Sequence, residues 1–447
     1  MKTEFSLLQL ADPKTARSND ILRKCVHCGF CTATCPTYLE LGDERDSPRG
    51  RIYLIQQMLE SGKAAEASTV QHLDRCLSCL SCMTTCPSGV DYMHLVEHGR
   101  EYVEETYKRP LFDRGLRAVL GAILPRPKLF RLALRAAGLA RPLKGLFRGR
   151  LRAMLELAPL HLPAPSKLSE TRQHKAASER KMRVVLMTGC AQEVLNPEIN
   201  AATIRLFTRF GVEVITPPEA GCCGALPLHM GQEEPALKLA RTNILAWAAE
   251  MEGEGLDAIL INTSGCGTTV KDYGNLFAGN AEPGLAEKAV KIAGLTMDIS
   301  EFAEKLDLQR TMNIPPLKVA YHSACSLQHG QRIRETPKVL LKALDFEVAE
   351  VPEGHICCGS AGTYNLLQPE LSARLKERKV GNIRKTAPDL VAAGNIGCIT
   401  QIASGLDLPV VHTVELLDWA TGGPIPPTLE GRLAAKEGTG HMVHESV

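Results

Sequence analysis

CVHCGFCTATCP at residues 25–36 and CLSCLSCMTTCP at residues 76–87 carry one pattern, three cysteines at every third residue and a fourth before proline. Three thiols so spaced can curl around one small inorganic core, and the fourth, led away by the proline, can reach a neighbouring core. This is the thiolate spacing of a 4Fe–4S cube, and two copies imply two clusters and a protein through which electrons pass. In two-cluster ferredoxins the fourth cysteine of each run serves the other cluster. On that rule Cys25, Cys28, Cys31 and Cys86 form one set, and Cys35, Cys76, Cys79 and Cys82 the other. Zinc would close at four ligands from paired C-x-x-C units and leave half of these cysteines redundant. No apolar signal-peptide stretch follows the first residues, so reduced thiols are expected rather than disulfides.

The runs lie about forty residues apart, and what separates them reads as helix. Arg49–Glu60 places Ile52, Ile55 and Leu59 at helical spacing with Gly62 as its stop, and Tyr92–Tyr107 repeats the pattern with Leu95, Val96 and Val103. A helix there favours an all-helical ferredoxin module over the compact β-containing kind. Backbone N–H···S bonds, burial and the apolar neighbours Phe30, Leu77, Leu80 and Met83 are expected to tune the cluster potentials.

Beyond the second run the charge becomes uneven. The formal net charge is +2, yet Lys108–Leu155 holds 13 Lys or Arg against the single acid Asp113. Leu, Phe and Ala alternate with these cations between Pro125, Pro127 and Pro142, which predicts short amphipathic basic helices. Such helices suit anionic lipid headgroups, an acidic partner subunit or a solvated connector, and composition does not choose among them. No apolar run reaches the roughly 18 residues that span a bilayer. Residues 163–181 are polar and Ser-rich, a linker at a domain boundary.

An internal repeat follows. Strand Arg183–Thr188 precedes Cys190, strand Val212–Thr216 precedes Cys222-Cys223-Gly224, and strand Ala258–Asn262 precedes Cys266, with helices near Ile199–Phe210 and Pro235–Met251 between them. The order recurs as strand Lys318–His322 then Cys325, strand Phe346–Val351 then Cys357-Cys358-Gly359, and strand Leu390–Ala393 then Cys398. The first three cysteines are displaced by 135 residues and the last by 132. Alternating strands and helices imply a parallel sheet with right-handed crossovers, whose strand C-terminal ends share the edge where ligands bind. Cys190, Cys222, Cys223 and Cys266 should therefore converge in one pocket, and Cys325, Cys357, Cys358 and Cys398 in another. Three uses stand open for them: a third metal or cluster, a redox-active thiol pair, or buried thiols that pack tight turns. His27, His229, His322 and His355 beside the motifs read as satisfied structural side chains.

Together CVHCGFCTATCPTY, CLSCLSCMTTCPSGVDY, the intervening SPRGRIYL, GCCGALPLH, NTSGCG, CSLQHGQ, ICCGSAGTYN and NIGCITQIASG resemble the glycolate oxidase iron–sulfur subunit family, within the wider group of CCG proteins. The resemblance runs from about Ile21 to Leu417. It implies a mixed fold: an all-α helical two-cluster ferredoxin domain over 1–110, a basic helical connector and linker over 111–181, and tandem α/β CCG repeats over 182–310 and 311–425. A polar tail would occupy 426–447. It implies two 4Fe–4S clusters on the eight N-terminal cysteines, and FAD only on partner glycolate oxidase subunits that oxidise glycolate to glyoxylate, or act on D-lactate in its place. Electrons would pass on to the membrane quinone pool from a hetero-oligomer in the cytoplasm, peripheral to the inner membrane. No nucleic acid partner is expected. The rival reading is a heterodisulfide-reductase-like or lactate-utilisation oxidoreductase with a catalytic cysteine-rich pocket. Those relatives carry a further cysteine in a C-x-x-C where this chain has Thr269 and Gln401. Neither G-x-G-x-x-G after a strand nor a P-loop is present, which agrees with a relay rather than a self-sufficient dehydrogenase.

Overall fold

The computed structural model describes residues 1–280 and 282–430; of the expected tail, residues 431–447 lie outside the described residues. The N-terminal module is helical, as its sequence periodicity implies. Helix Pro48–Ser61 starts at Ser47, whose hydroxyl accepts the Gly50 amide, and stops at left-handed Gly62. Its buried face, with Ile52, Ile55 and Leu59, packs against Leu95, Val96 and Val103 of helix Tyr92–Thr106.

Three helices follow, Leu111–Ile123, Pro127–Ala140 and Gly149–Leu157. The predicted basic amphipathic segment is therefore helical, broken at prolines that cannot continue a helix. The polar stretch after it is not wholly free chain: β1 (Gln173–His174) pairs antiparallel with a strand of the first α/β unit.

That unit contains β2 (Met182–Met187), β3 (Val212–Ile215), β4 (Ala258–Ile261) and β5 (Thr296–Asp298), in the sheet order β1-β3-β2-β4-β5. The second contains β6 (Lys318–His322), β7 (Glu347–Glu350), β8 (Leu390–Ala393) and β9 (Val410–His412), in the order β7-β6-β8-β9. Setting the edge strand β1 aside, both sheets are parallel and have the same topology. The fourth strand of each, β5 and β9, adds to the three that sequence pattern predicts. Val184 and Leu186 of β2 enter one core and Val185 and Met187 the other, so this strand is buried on both faces, as parallel sheets require.

The two units meet at their cysteine-bearing edges. His412 Nε2 lies 2.9 Å from the Asn262 carbonyl, Asn395 donates to Ser264 Oγ at 3.1 Å, and Ser264 and Ser326 hydroxyls lie 2.7 Å apart. On the flank, Arg205 and Arg209 of helix Glu198–Arg209 pair with buried Asp418 of helix Thr413–Ala420. The ferredoxin-like module docks on both units: His94 reaches Asp272 at 2.9 Å, Thr84 Oγ1 lies 2.8 Å from His329 Nδ1, and Arg378 pairs with Glu40 at 3.1 Å.

Candidate functional site

Both cysteine runs use the same backbone device. His27 and Gly29 in the first, and Ser78 and Leu80 in the second, take positive φ of 55°, 89°, 49° and 61°. Three of these four carry side chains that disfavour such a conformation, and strain of this kind persists where surrounding structure overdetermines it. Left-handed residues among right-handed ones turn successive amides inward, making the concave nest that suits anionic iron–sulfur centres.

Two cavities result. Cys25, Cys28, Cys31 and Cys86 line the outer one, where Cys28 is exposed. Cys35, Cys76, Cys79 and Cys82 line the inner one. Each set thus joins three thiols of one run to the fourth of the other, the donor set of a 4Fe–4S cube. Cys82 also borders the outer cavity, so the two centres lie side by side. Leu77 and Leu80 are buried here, whereas Phe30 is 64 % exposed on a short 3-10 turn.

The inner set has a buried cation, Arg51, which stands in the SPRGRIYL stretch between the two cysteine runs. Arg51 is 1 % exposed; it donates to Asp46 at 3.2 Å, to Thr37 at 3.0 Å and to the His72 carbonyl at 2.7 Å, and its Nη1 lies 3.9 Å from Cys35 Sγ. Asp46 is fully buried and also meets Arg75 at 2.9 Å and His72 at 3.0 Å. Burial pushes the Cys76 thiol up, but Arg51, Arg100, the Ser78 amide and the Tyr92 hydroxyl outweigh it and hold Cys76 below the usual thiol range. Burial leaves Cys79 and Cys82 well above it and pushes Cys31 up to about 11. A signal for Arg51 exists: it stands four residues before Ile55, a charge on an apolar helix face.

The repeat cysteines follow their strands at the sheet edges. Gly224 and Gly359, which close the two Cys-Cys-Gly units, both have φ of +88°. A Cβ there would stand 2.8 Å from the Ala236 carbonyl oxygen and 2.6 Å from that of Ser372. Glycine is required for the turn and for the approach of the following helix. All eight thiols border one cavity of about 360 Å³, rather than the two pockets expected, because the sheet edges face each other. Within the first set Cys190 and Cys223 donate to Cys222, which holds Cys222 well below the usual range and pushes the donors up. In the second set Cys358 Sγ lies 3.4 Å from Cys398 Sγ.

Cys79 borders this cavity as well as the inner one, and Leu77 packs with Cys325 and Cys357. The roof comes from the connector: Leu120, Leu124, Phe130, Leu134 and Met154 line the apolar upper wall. The connector exposes Leu132, Leu139 and Leu146 by 63 %, 84 % and 79 %, beside Arg114, Lys128, Arg135, Lys144 and Arg148, which have no ion-pair partner among the described residues. Two of the histidines expected to be satisfied are not: His229 Nδ1 and both nitrogens of His322 are buried without a hydrogen-bond partner among the described residues. No helix among the described residues is long and apolar enough to cross a membrane.

Comparison with known proteins supports the same division. Residues 21–90 match the 4Fe-4S dicluster domain family, and residues 184–271 and 319–403 match the cysteine-rich domain family. The chain is 43 % identical to the glycolate oxidase iron-sulfur subunit of Escherichia coli (strain K12), over 94 % of this chain and 99 % of that protein. It is 30 % identical to the probable glycolate oxidase iron-sulfur subunit of Bacillus subtilis (strain 168), with the same coverages. Lactate utilization protein A of Shouchella clausii matches 53 % of the chain at 26 % identity and over 99 % of its own length. Among solved structures, a hypothetical protein from Helicobacter pylori has a similar fold, with a TM-score of 0.51 at 11 % identity over 94 % of this chain and 74 % of that one.

Proposed function

The chain belongs to the glycolate oxidase iron–sulfur subunit family, and on that premise we propose that it carries electrons from flavin-bearing partner subunits to a membrane quinone. It is an iron–sulfur electron-transfer subunit. Cys25, Cys28, Cys31 and Cys86 would hold one 4Fe–4S cluster, and Cys35, Cys76, Cys79 and Cys82 the second. When bound, such cubes take up and release single electrons. FAD would sit on the partners, where glycolate is oxidised to glyoxylate, or D-lactate to the 2-oxo acid of the same carbon skeleton.

The residues of this chain support a direction of flow. Exposed Cys28 with its apolar neighbours Val26 and Phe30 offers a face on which a flavin subunit can dock. Arg51 and Arg100 stabilise negative charge on the inner thiols, and buried Leu77 and Leu80 keep water from them. Cys79 links that set to the large cavity, whose apolar roof suits a lipid-soluble ring and whose exposed leucines and unpaired cations suit an anionic bilayer surface. The complex would then be a hetero-oligomer, peripheral on the cytoplasmic face.

The meeting of three thiols from each run with the fourth of the other carries this reading. Its test is iron and sulfide analysis with EPR of the reduced, anaerobically purified complex. Two cubane signals are expected, and Cys28→Ser or Cys79→Ser should abolish glycolate-dependent dye reduction. A colourless chain holding zinc refutes the proposal. For the acceptor, Ala133→Trp narrows the cavity and should abolish reduction of a short-tailed quinone while dye reduction persists.

A further inference from the structure

Turning a quinone into a quinol consumes two protons as well as two electrons, and the wall of the large cavity is poor in groups that supply protons. Apart from its thiols, the side chains lining it are apolar, hydroxyl or amide, with the single exception of His229. That residue ends the short helix Ala225–His229, which follows the first Cys-Cys-Gly turn. Burial lowers the pKa of its imidazole to about 4, and the Arg100 charge adds to the effect, so the ring is neutral. Its Nδ1 is buried without a hydrogen-bond partner among the described residues. An atom left so costs stability and calls for a reason other than the fold. The second unit offers no counterpart: adding the 135-residue displacement leads to Tyr364, which does not line the cavity.

Behind His229 lies a second, smaller cavity, where helix Tyr92–Thr106 meets the first α/β unit. Its volume of about 40 Å³ has room for about two or three waters. Ser78, His229, Gly265 and Ser326 border both cavities, so the two adjoin. Glu97 lines the small cavity, and its carboxyl makes no hydrogen bond or ion pair among the described residues. One nitrogen of His94 and carboxyl oxygens of Glu97 and Asp272 lie within 4.8 Å of one another. His94 and Asp91 are 14 % and 31 % exposed, so this end of the cavity reaches solvent. Burial pushes Glu97 up to about 7; Asp272 and Asp91 add to the rise, and His94 and Arg100 oppose it. A carboxyl poised there both takes and gives a proton near neutrality.

We propose that Glu97 and His229 form the proton route to the quinone, an inference that rests on assigning the large cavity to that acceptor. Water reaches Glu97 past His94 and Asp272 and protonates it. The proton crosses the small cavity to His229. One ring nitrogen of His229 accepts it while the other gives a proton to a quinone oxygen, so the imidazole ends each transfer neutral. Glycolate oxidation supplies the two electrons, which arrive singly from the Cys79 side. Each quinone carbonyl gains one electron and one proton and becomes a hydroxyl, so the route runs twice for every quinol formed. Electrons and protons thus enter the cavity by separate walls, and no thiol of the two repeats has to give up a proton.

The purified complex tests this through the ratio of two glycolate-dependent rates, reduction of a short-tailed quinone and reduction of ferricyanide, which takes one electron and no proton. Glu97→Gln and His229→Ala should each lower that ratio about 100-fold, the range of a lost general acid. Added imidazole should restore His229→Ala, and Glu97→Asp should recover part of the rate; lost packing responds to neither. Met93→Leu, in the wall of the same small cavity, should keep the wild-type ratio. Should His229→Ala fail to fold, Glu97→Gln, of nearly the same shape, carries the test. An unchanged ratio in Glu97→Gln or in a folded His229→Ala, or an equal fall in Met93→Leu, would overturn the proposal. Ala133→Trp separates it from the reading beneath it. Quinone reduction that survives Ala133→Trp refutes the cavity assignment, whereas a block there with unchanged ratios in the other variants refutes the proton route alone.

Discussion

Replacing Arg51 by methionine removes a buried positive charge from beside the inner thiol set while keeping most of the side-chain volume. The guanidinium lies 3.9 Å from Cys35 Sγ. At that separation, with an effective dielectric of about 20, one unit charge is worth about 4 kcal/mol. An added electron would spread over a whole cluster, so a mean separation of about 7 Å is the better measure and gives about 2 kcal/mol. For a one-electron couple this lowers the midpoint potential of the inner cluster by about 100 mV. The fold also suffers, because buried Asp46 keeps only Arg75 and His72; a loss of about 3 kcal/mol is expected. The assay is an EPR-monitored redox titration of the purified complex, with denaturant unfolding alongside. Arg75→Met is the control: Arg75 pairs with the same carboxylate but is 26 % exposed, so solvent screens its charge and the potential should shift far less. A folded Arg51→Met protein whose inner cluster keeps its wild-type potential would refute the electrostatic role, and with it the ligand assignment on which the distance rests.

Other outcomes follow from the same geometry. His94 sits between Asp91 at 2.6 Å and Asp272 at 2.9 Å; burial works against its charge, but the two carboxylates raise its pKa to about 9. A raised histidine pKa gives stability that is complete below 6.5 and is lost as pH rises through about 9; Glu97 beside it, pushed up by burial to about 7, acts in the same direction. Denaturant midpoints should fall over that window by about 2 kcal/mol in stability, and His94→Gln should flatten the profile. Gly224→Ala and Gly359→Ala force a side chain into a left-handed turn against a carbonyl oxygen, and each should cost at least about 2 kcal/mol in thermal or denaturant unfolding. Vesicles rich in anionic lipid should bind the chain in sedimentation, and binding should fall with added salt and with neutral replacement of Arg114, Lys128, Arg135 and Lys144. Equal binding to neutral vesicles would remove the lipid role of the connector.

What the sequence alone determines here is local and periodic. The spacing of each cysteine run, the glycine after each Cys-Cys pair, and the alternation of apolar strands with helices depend on neighbours within a few residues, and they announce a helical cluster-binding module followed by two parallel-sheet units. The family resemblance rests on the same short motifs. Tertiary structure decides which distant faces meet. Only the folded chain puts Arg51 beside Cys35, swings His322 towards Cys358 and Cys398, sets Lys379 among thiols, and turns two sheet edges towards one cavity under the connector helices. Each of these contacts joins elements whose pairing depends on packing across the whole domain. A charged residue on an apolar helix face is therefore visible in the sequence, but the sulfur it serves is not.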